Sequence, residues 1–163
     1  MMQKLALSIA ALGLLTACGS GETSAPASAP ADTPVATVPA LTDAEKATLL
    51  AALPAPYAQA DLDNGRAVFA RCRSCHTLVP GGSNMTGPNL NGVIGRVAGT
   101  HAGFNYSPAL KSAGFTWDGD KIEHWLENPR TFLAGNKMSF PGLPDATDRR
   151  DVVAYISVEG APR

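Results

Sequence analysis

Charge of either sign is scarce in this chain of 163 residues, whose 13 basic and 14 acidic side chains leave a formal net charge of −1. That balance offers no broad basic face for a nucleic-acid backbone and no strongly anionic surface. Aromatic residues make up only 6% of the chain and cysteine appears three times. No apolar run approaches the ~20 residues needed to cross a hydrocarbon layer of ~30 Å. No stretch alternates apolar and polar residues over the length of a strand, so a sheet is not expected. Glycine and proline are plentiful instead, at 16 and 13, and they gather in loops and in one N-terminal stretch.

The N-terminus carries Lys4 and then a short apolar run from Leu5 to Leu15. A basic start, a short apolar core and small residues at its end describe a secretory signal over 1–17. The junction Leu15-Thr16-Ala17-Cys18 resembles the lipobox of bacterial lipoproteins, which would make Cys18 the lipidated first residue of the mature chain; the plainer reading is an ordinary signal followed by an incidental cysteine. Beyond it, from Gly19 to about Ala40, nearly every residue is Gly, Ser, Thr, Ala or Pro. Such a stretch cannot bury enough apolar surface to offset the entropy of ordering it. Residues 18–58 are therefore expected to be a linker, with a random-coil reach of roughly 35 Å at ~5–6 Å × √n. Within it Leu41 to Leu53 predicts a short helix, with Thr42 as N-cap and Glu45 three positions on as a capping box.

The densest chemistry is at Cys72-Arg73-Ser74-Cys75-His76. C-x-x-C-H is the attachment signal of a c-type haem: each thiol can add to one vinyl group, and the following imidazole is placed to ligate iron. Taken alone, C-x-x-C is also compatible with a thioredoxin-like pair or half a zinc site. An exported protein with three cysteines has one left over. If Cys72 and Cys75 take a haem and Cys18 a lipid, none remains, and no structural disulfide is expected.

Residues 59–163 suit one domain. Helices are predicted from Asp61 to about Cys72, from Asp118 to Asn128 with Pro129 as a stop, and from Thr147 to Val158 with Thr147 as N-cap and Gly160 closing it. A shorter helix is predicted over Pro108 to Ser112. The rest is loop. So small a domain with such long loops lacks core, a deficit that a buried haem would repair by acting as core itself.

The run Gly65, Phe69, Cys72, Cys75, His76, Thr77, then Gly87-Pro88-Asn89-Leu90, Gly95-Arg96, Phe104-Asn105-Tyr106, Trp117, Trp125 to Pro129 and Gly135 to Phe140 resembles the class I cytochromes c, in particular their mitochondrial and alphaproteobacterial branch. The resemblance spans 59–163. It implies an all-α fold, three main helices with long loops wrapped around one haem c bound through Cys72 and Cys75. It implies His76 and Met138 as axial iron ligands and Pro88 as the carbonyl that orients His76. It also implies Trp117, Tyr106 and Arg96 as partners of the haem propionates, and Gly65, Phe69 and Tyr155 at the crossing of the terminal helices. Trp125 replaces a tyrosine common near the methionine, which is expected to remove a hydrogen bond to the sulfur. Ala134 replaces a proline, and Met85 and Thr86 stand where a lysine is common. The basic ring is thus expected to be thin: Arg71, Arg73, Arg130, Lys137, Arg149 and Arg150. His101 and His124 read as surface residues.

With both axial positions filled, the implied chemistry is outer-sphere electron transfer and not catalysis. The expectation is a monomeric, lipid-anchored periplasmic electron carrier. By the same resemblance it would run between a quinol:cytochrome c oxidoreductase and a terminal cytochrome c oxidase, docking weakly through its basic residues. The rival readings are a dedicated partner of one periplasmic dehydrogenase or reductase, and a haem peroxidase or ligand sensor in which Met138 dissociates.

Overall fold

A computed structural model describes residues 38–163. The signal segment, Cys18 and the linker as far as residue 37 lie outside the described residues. The described chain is helical: α1 (Asp43–Ala51), a single 3-10 turn (Tyr57–Gln59), α2 (Leu62–Phe69), α3 (Pro108–Lys111), α4 (Gly119–Glu127), α5 (Pro129–Phe132) and α6 (Ala146–Glu159). Among the described residues the one β-type pairing is an isolated bridge between Val97 and Thr116.

Each helix begins where a short polar side chain can take up the free N–H groups of the first turn. Asp61 accepts from Asp63 and Asn64, Ser107 from Leu110, Asp118 from Lys121 and Asn128 from Thr131. Two starts differ from expectation. The cap of α6 is Asp145, which accepts from the Asp148 N–H and leaves Thr147 inside the helix; the cap therefore sits two residues earlier than expected. Pro129 ends α4 but also opens α5, because a first helical position needs no N–H.

α2 and α6 cross at Gly65, and the crossing is the largest helix contact of the molecule. A methyl group at Gly65 would run into the Asp151 backbone carbonyl and sit 2.8 Å from the Tyr155 Cβ, so only glycine admits this approach. Phe69 and Tyr155 then meet with ring centroids 5.5 Å apart. Asp151 is 1% exposed at the same point. Its carboxylate accepts from the Asp61 N–H at 3.1 Å, from Asn64 Nδ2 at 2.9 Å, and from Arg150 Nε and Nη2 at 2.8 and 2.7 Å. A buried charge so fully hydrogen-bonded ties α2 to α6 instead of carrying an uncompensated desolvation cost. Val152, Val153 and Ile156 fill the core on the other side of α6.

The packed domain begins earlier than residue 59. The capping box at Thr42 and Glu45 forms, with both reciprocal bonds present. α1 then lies on α6: Lys46 pairs with Glu159 at 2.8 Å, Leu50 and Leu53 pack on the core, and Arg163 Nη1 donates to the Pro39 carbonyl at 3.0 Å. Tyr57 is 3% exposed, its ring against Gly119, and its hydroxyl lies 3.0 Å from Asp120 Oδ1 and 2.9 Å from Glu123 Oε2 on α4. Residues 43–60 thus form a strap over α6 and α4 where linker was expected. Hydrogen bonds to charged groups contribute roughly 1.5–3 kcal/mol. Tyr57→Phe is accordingly expected to lower the unfolding free energy by about that much, read from guanidinium denaturation midpoints; an unchanged midpoint would show the strap to be decorative.

Candidate haem site

The end of α2 does not break off but winds on through single turns. Cys72 N–H donates to the Phe69 carbonyl at 2.8 Å, and Cys75 and His76 N–H groups both return to the Cys72 carbonyl, at 3.0 and 2.9 Å. This winding brings Cys72, Cys75 and His76 to the wall of one cavity. Burial pushes the Cys72 thiol up to about 11, with nearby Arg71 opposing it only in part.

His76 Nδ1 lies 2.8 Å from the Pro88 carbonyl oxygen. A carbonyl can only accept, so Nδ1 carries the hydrogen and Nε2 keeps its lone pair. Burial holds the imidazole below its ordinary pKa, which favours that neutral, ligating form. The ring is seated on Gly87, where a Cβ would collide with Cε1 and lie 2.7 Å from both ring nitrogens. Gly87 in turn donates its N–H to the Cys75 carbonyl at 2.9 Å.

Asn89, 2% exposed, holds this loop in shape. Its Nδ2 donates to the Val79 and Gly82 carbonyls, both at 2.8 Å, and its Oδ1 accepts from Asn91 N–H at 2.6 Å. A long loop buried against a cavity must have its backbone groups satisfied by side chains where no helix or sheet does it. The Gly-Pro-Asn-Leu motif signalled the loop; which carbonyls Asn89 would serve had no sequence signature.

Met138 lies in the same cavity on the 133–140 loop. Asn136 shapes that loop from inside: its Nδ2 donates to the Pro129 and Leu133 carbonyls at 2.8 Å each, and its Oδ1 accepts the Met138 N–H at 2.8 Å. Lys137 Nζ reaches across to the Asn105 carbonyl at 3.2 Å. The expected loss of a hydrogen bond at the sulfur does not occur. Trp125 Nε1 lies 3.1 Å from Met138 Sδ, so the indole N–H supplies a donor to the sulfur.

Arg96, Tyr106 and Trp117 line one part of the cavity. Arg96 Nη1 donates to the Asn89 carbonyl at 3.1 Å and Nη2 to the Asn91 carbonyl. These two bonds occupy two of five N–H donors. Burial lowers the guanidinium pKa while Tyr106 opposes it, and burial raises the Tyr106 phenol while Arg96 opposes it. Trp117 is held edge-on by Phe115 at 4.7 Å and by Trp125 at 5.4 Å.

The cavity has a volume of about 310 Å³ and an otherwise largely apolar wall that includes Leu90, Val93, Leu110, Ile122, Leu126 and Ile156. Two thiols, an imidazole with a free lone pair, a thioether and a largely apolar space lined also by Arg96, Tyr106 and Trp117 suit a haem bearing carboxylates. Among the described residues no three His, Cys, Asp or Glu side chains gather as a metal site. Arg71 and Lys137 stand at this cavity, and Arg71 also lies over the Phe140 ring at 5.6 Å. Arg149 does not join them: it is buried and donates through Nη1 to the Leu143 and Pro144 carbonyls at 2.8 Å, while Arg150 is turned to Asp151. Both leave the expected basic ring, Arg149 because the backbone carbonyls before α6 take its donors and Arg150 because the buried Asp151 carboxylate takes its own.

No family model matches the chain. It is 45% identical over 97 residues to the cytochrome c2 of Rhodoblastus acidophilus, covering 60% of this chain and 91% of that one. It is 44% identical over 97 residues to the cytochrome c of Chlamydomonas reinhardtii, covering 59% and 87%. Among solved structures it is similar to cytochrome cH from Methylobacterium extorquens, with a TM-score of 0.55 and 39% identity over 59% of this chain and 96% of that one.

Proposed function

The chain belongs to the cytochrome c family, and from that premise we propose that it is a lipid-tethered periplasmic electron carrier whose haem is ligated by His76 and Met138. Family membership itself makes it an electron carrier and not an enzyme, with one covalent haem c attached through Cys72 and Cys75. That haem supplies the Fe(III)/Fe(II) couple. The observation that carries the ligand assignment is that Cys72, Cys75, His76 and Met138 all line a single cavity.

In this reading the Pro88 carbonyl orients His76 and strengthens it as a donor, the usual role of a partner on the far ring nitrogen. Arg96, Tyr106 and Trp117 face the propionates, and the remaining N–H donors of Arg96 offset their charge. Arg71 and Lys137 give the cavity mouth a positive sign, since no Asp or Glu lines it. Partner docking is then weak and sensitive to salt.

The partners of this reading are a membrane quinol:cytochrome c oxidoreductase as donor and a terminal oxidase as acceptor. No helix among the described residues is long and apolar enough to cross a membrane; in this reading attachment is by acyl chains at Cys18. Only the residues before the strap are then left to act as tether, and they raise the local concentration for membrane-bound partners. The test is Cys18→Ala in the full chain. The unaltered protein should sediment with membranes in high salt and be turned over by them, while the variant should appear in the soluble fraction with its haem spectrum intact. A variant that still sediments would sink the anchor, and membranes that fail to turn over the unaltered protein would sink the assignment of partners.

A further inference from the structure

Met138 does not stand on a free loop. Asn136, two residues before it, donates to the Pro129 and Leu133 carbonyls at 2.8 Å each, and Pro129 opens α5 directly after Asn128 closes α4. Beyond Met138 the chain returns to the same helix. Leu143 N–H donates to the Leu126 carbonyl at 2.7 Å, and a Cβ at Gly142 would collide with the Glu127 carbonyl oxygen. The loop is therefore mounted on the C-terminal end of α4 both before and after the methionine. The same helix supplies Ile122, Trp125 and Leu126 to the cavity wall.

The other side of α4 carries Asp120 and Glu123, which do not line the cavity. The strap meets them there: the Tyr57 hydroxyl lies 3.0 Å from the first and 2.9 Å from the second, and its ring packs against Gly119 at the helix start. A phenol has one hydrogen, so either carboxylate can receive it. Burial, and after it the two carboxylates, hold the phenol pKa well above its ordinary value, so the donor keeps that hydrogen. A helix of nine residues is too short to be stable alone, and what grips its two sides sets its position.

We propose that Tyr57 is a positioning residue for the distal side of the haem: by gripping the outer side of α4 it steadies the mounting of the Met138 loop and keeps Met138 on the iron. The proposal rests on the reading of Met138 as distal ligand. An external ligand reaches the iron only in molecules whose Met138 has left it, so its apparent affinity is the intrinsic one scaled by that fraction. Loosening α4 raises the fraction. The strap thus keeps the protein a carrier, and without its grip the iron takes up small ligands.

The experiment must separate the grip on α4 from stability in general. Azide is titrated into the haem-loaded ferric full chain, and binding is read from the loss of the far-red sulfur-to-iron absorption. Three variants are set beside the unaltered protein. Tyr57→Phe keeps the ring and removes the hydroxyl; Asp120→Ala combined with Glu123→Ala removes the same contact from the side of α4. Val152→Ala serves as the control, because Val152 is fully buried on α6 but does not line the haem cavity. The expected result is an azide affinity raised about fivefold or more in both strap variants, the low end of the usual coupling between two sites, and unchanged in the control. An unchanged affinity in either strap variant, or an equal rise after Val152→Ala, would overturn the proposal. Absence of the far-red band from the unaltered protein before azide is added would instead overturn the assignment of Met138, which keeps the two failures apart.

Discussion

Met138→Ala is expected to lower the reduction potential by on the order of 100 mV or more, within the ~0.8 V over which axial ligands set haem potentials. The reasoning starts from the sulfur. A neutral, soft thioether stabilises Fe(II) relative to the water or hydroxide that would take its place, so its loss moves the couple downward. The same substitution should abolish the far-red band and open the iron to added small ligands such as azide, giving three readouts of one change. Packing responds as well, because Met138 is partly buried against the core, as are Trp125 and Phe140; truncating a fully buried methionine costs about 2–5 kcal/mol, and a partly buried one less. Retention of the far-red band in the variant would assign the distal ligand elsewhere, and Met85, exposed to solvent, is the other methionine of the domain.

The second large effect is expected at Gly87. Gly87→Ala puts a methyl group into the His76 ring, and the ring cannot retreat without giving up its bond to the Pro88 carbonyl. Overpacking of this kind costs about 1–3 kcal/mol by itself, and the lost hydrogen bond adds about 0.5–1.5 kcal/mol. A guanidinium midpoint lowered by that sum is the stability readout. The potential should rise as stability falls, because an imidazole that no longer donates from Nδ1 to a carbonyl is a poorer donor to ferric iron. That upward direction distinguishes the effect from Met138→Ala, which moves the potential down. A variant with an unaltered potential would mean that the ring had moved together with Pro88 and kept its partner.

How far residues alone could reach depended on whether a role was local. The C-x-x-C-H turn, the capping box at Thr42, the caps of α2 and α4 and the glycine at the α2–α6 crossing all express chemistry confined to a few residues or to one close approach, and they were legible. The strap was not. Tyr57 stands alone among prolines and alanines, and only the position of Asp120 and Glu123 on a distant helix gives its hydroxyl something to hold. Arg149 looked like surface charge because nothing in the sequence says that the Leu143 and Pro144 carbonyls arrive beside α6 without partners of their own. Trp125 is the sharpest case: the substitution was visible, but whether an indole N–H reaches a sulfur thirteen residues away is decided by rotamer and loop shape. The start of α6 was missed for a smaller reason: the Asp145 carboxylate takes the cap two residues before Thr147.

The crossing of α2 with α6 has a consequence for the order in which this molecule is made. Asp151 accepts its bonds from Asp61 and Asn64 across separations of 90 and 87 residues. Contacts so distant along the chain carry the entropic cost of closing the intervening loop. A chain delivered from its N-terminus exposes the two thiols well before α6 exists to seal the fold. Once the fold is closed, burial holds the Cys72 thiol at about 11 and little of it is in the nucleophilic thiolate form. α6 is the last element of the chain to be delivered, and its packing on α2 closes the fold behind the Cys72–His76 turn.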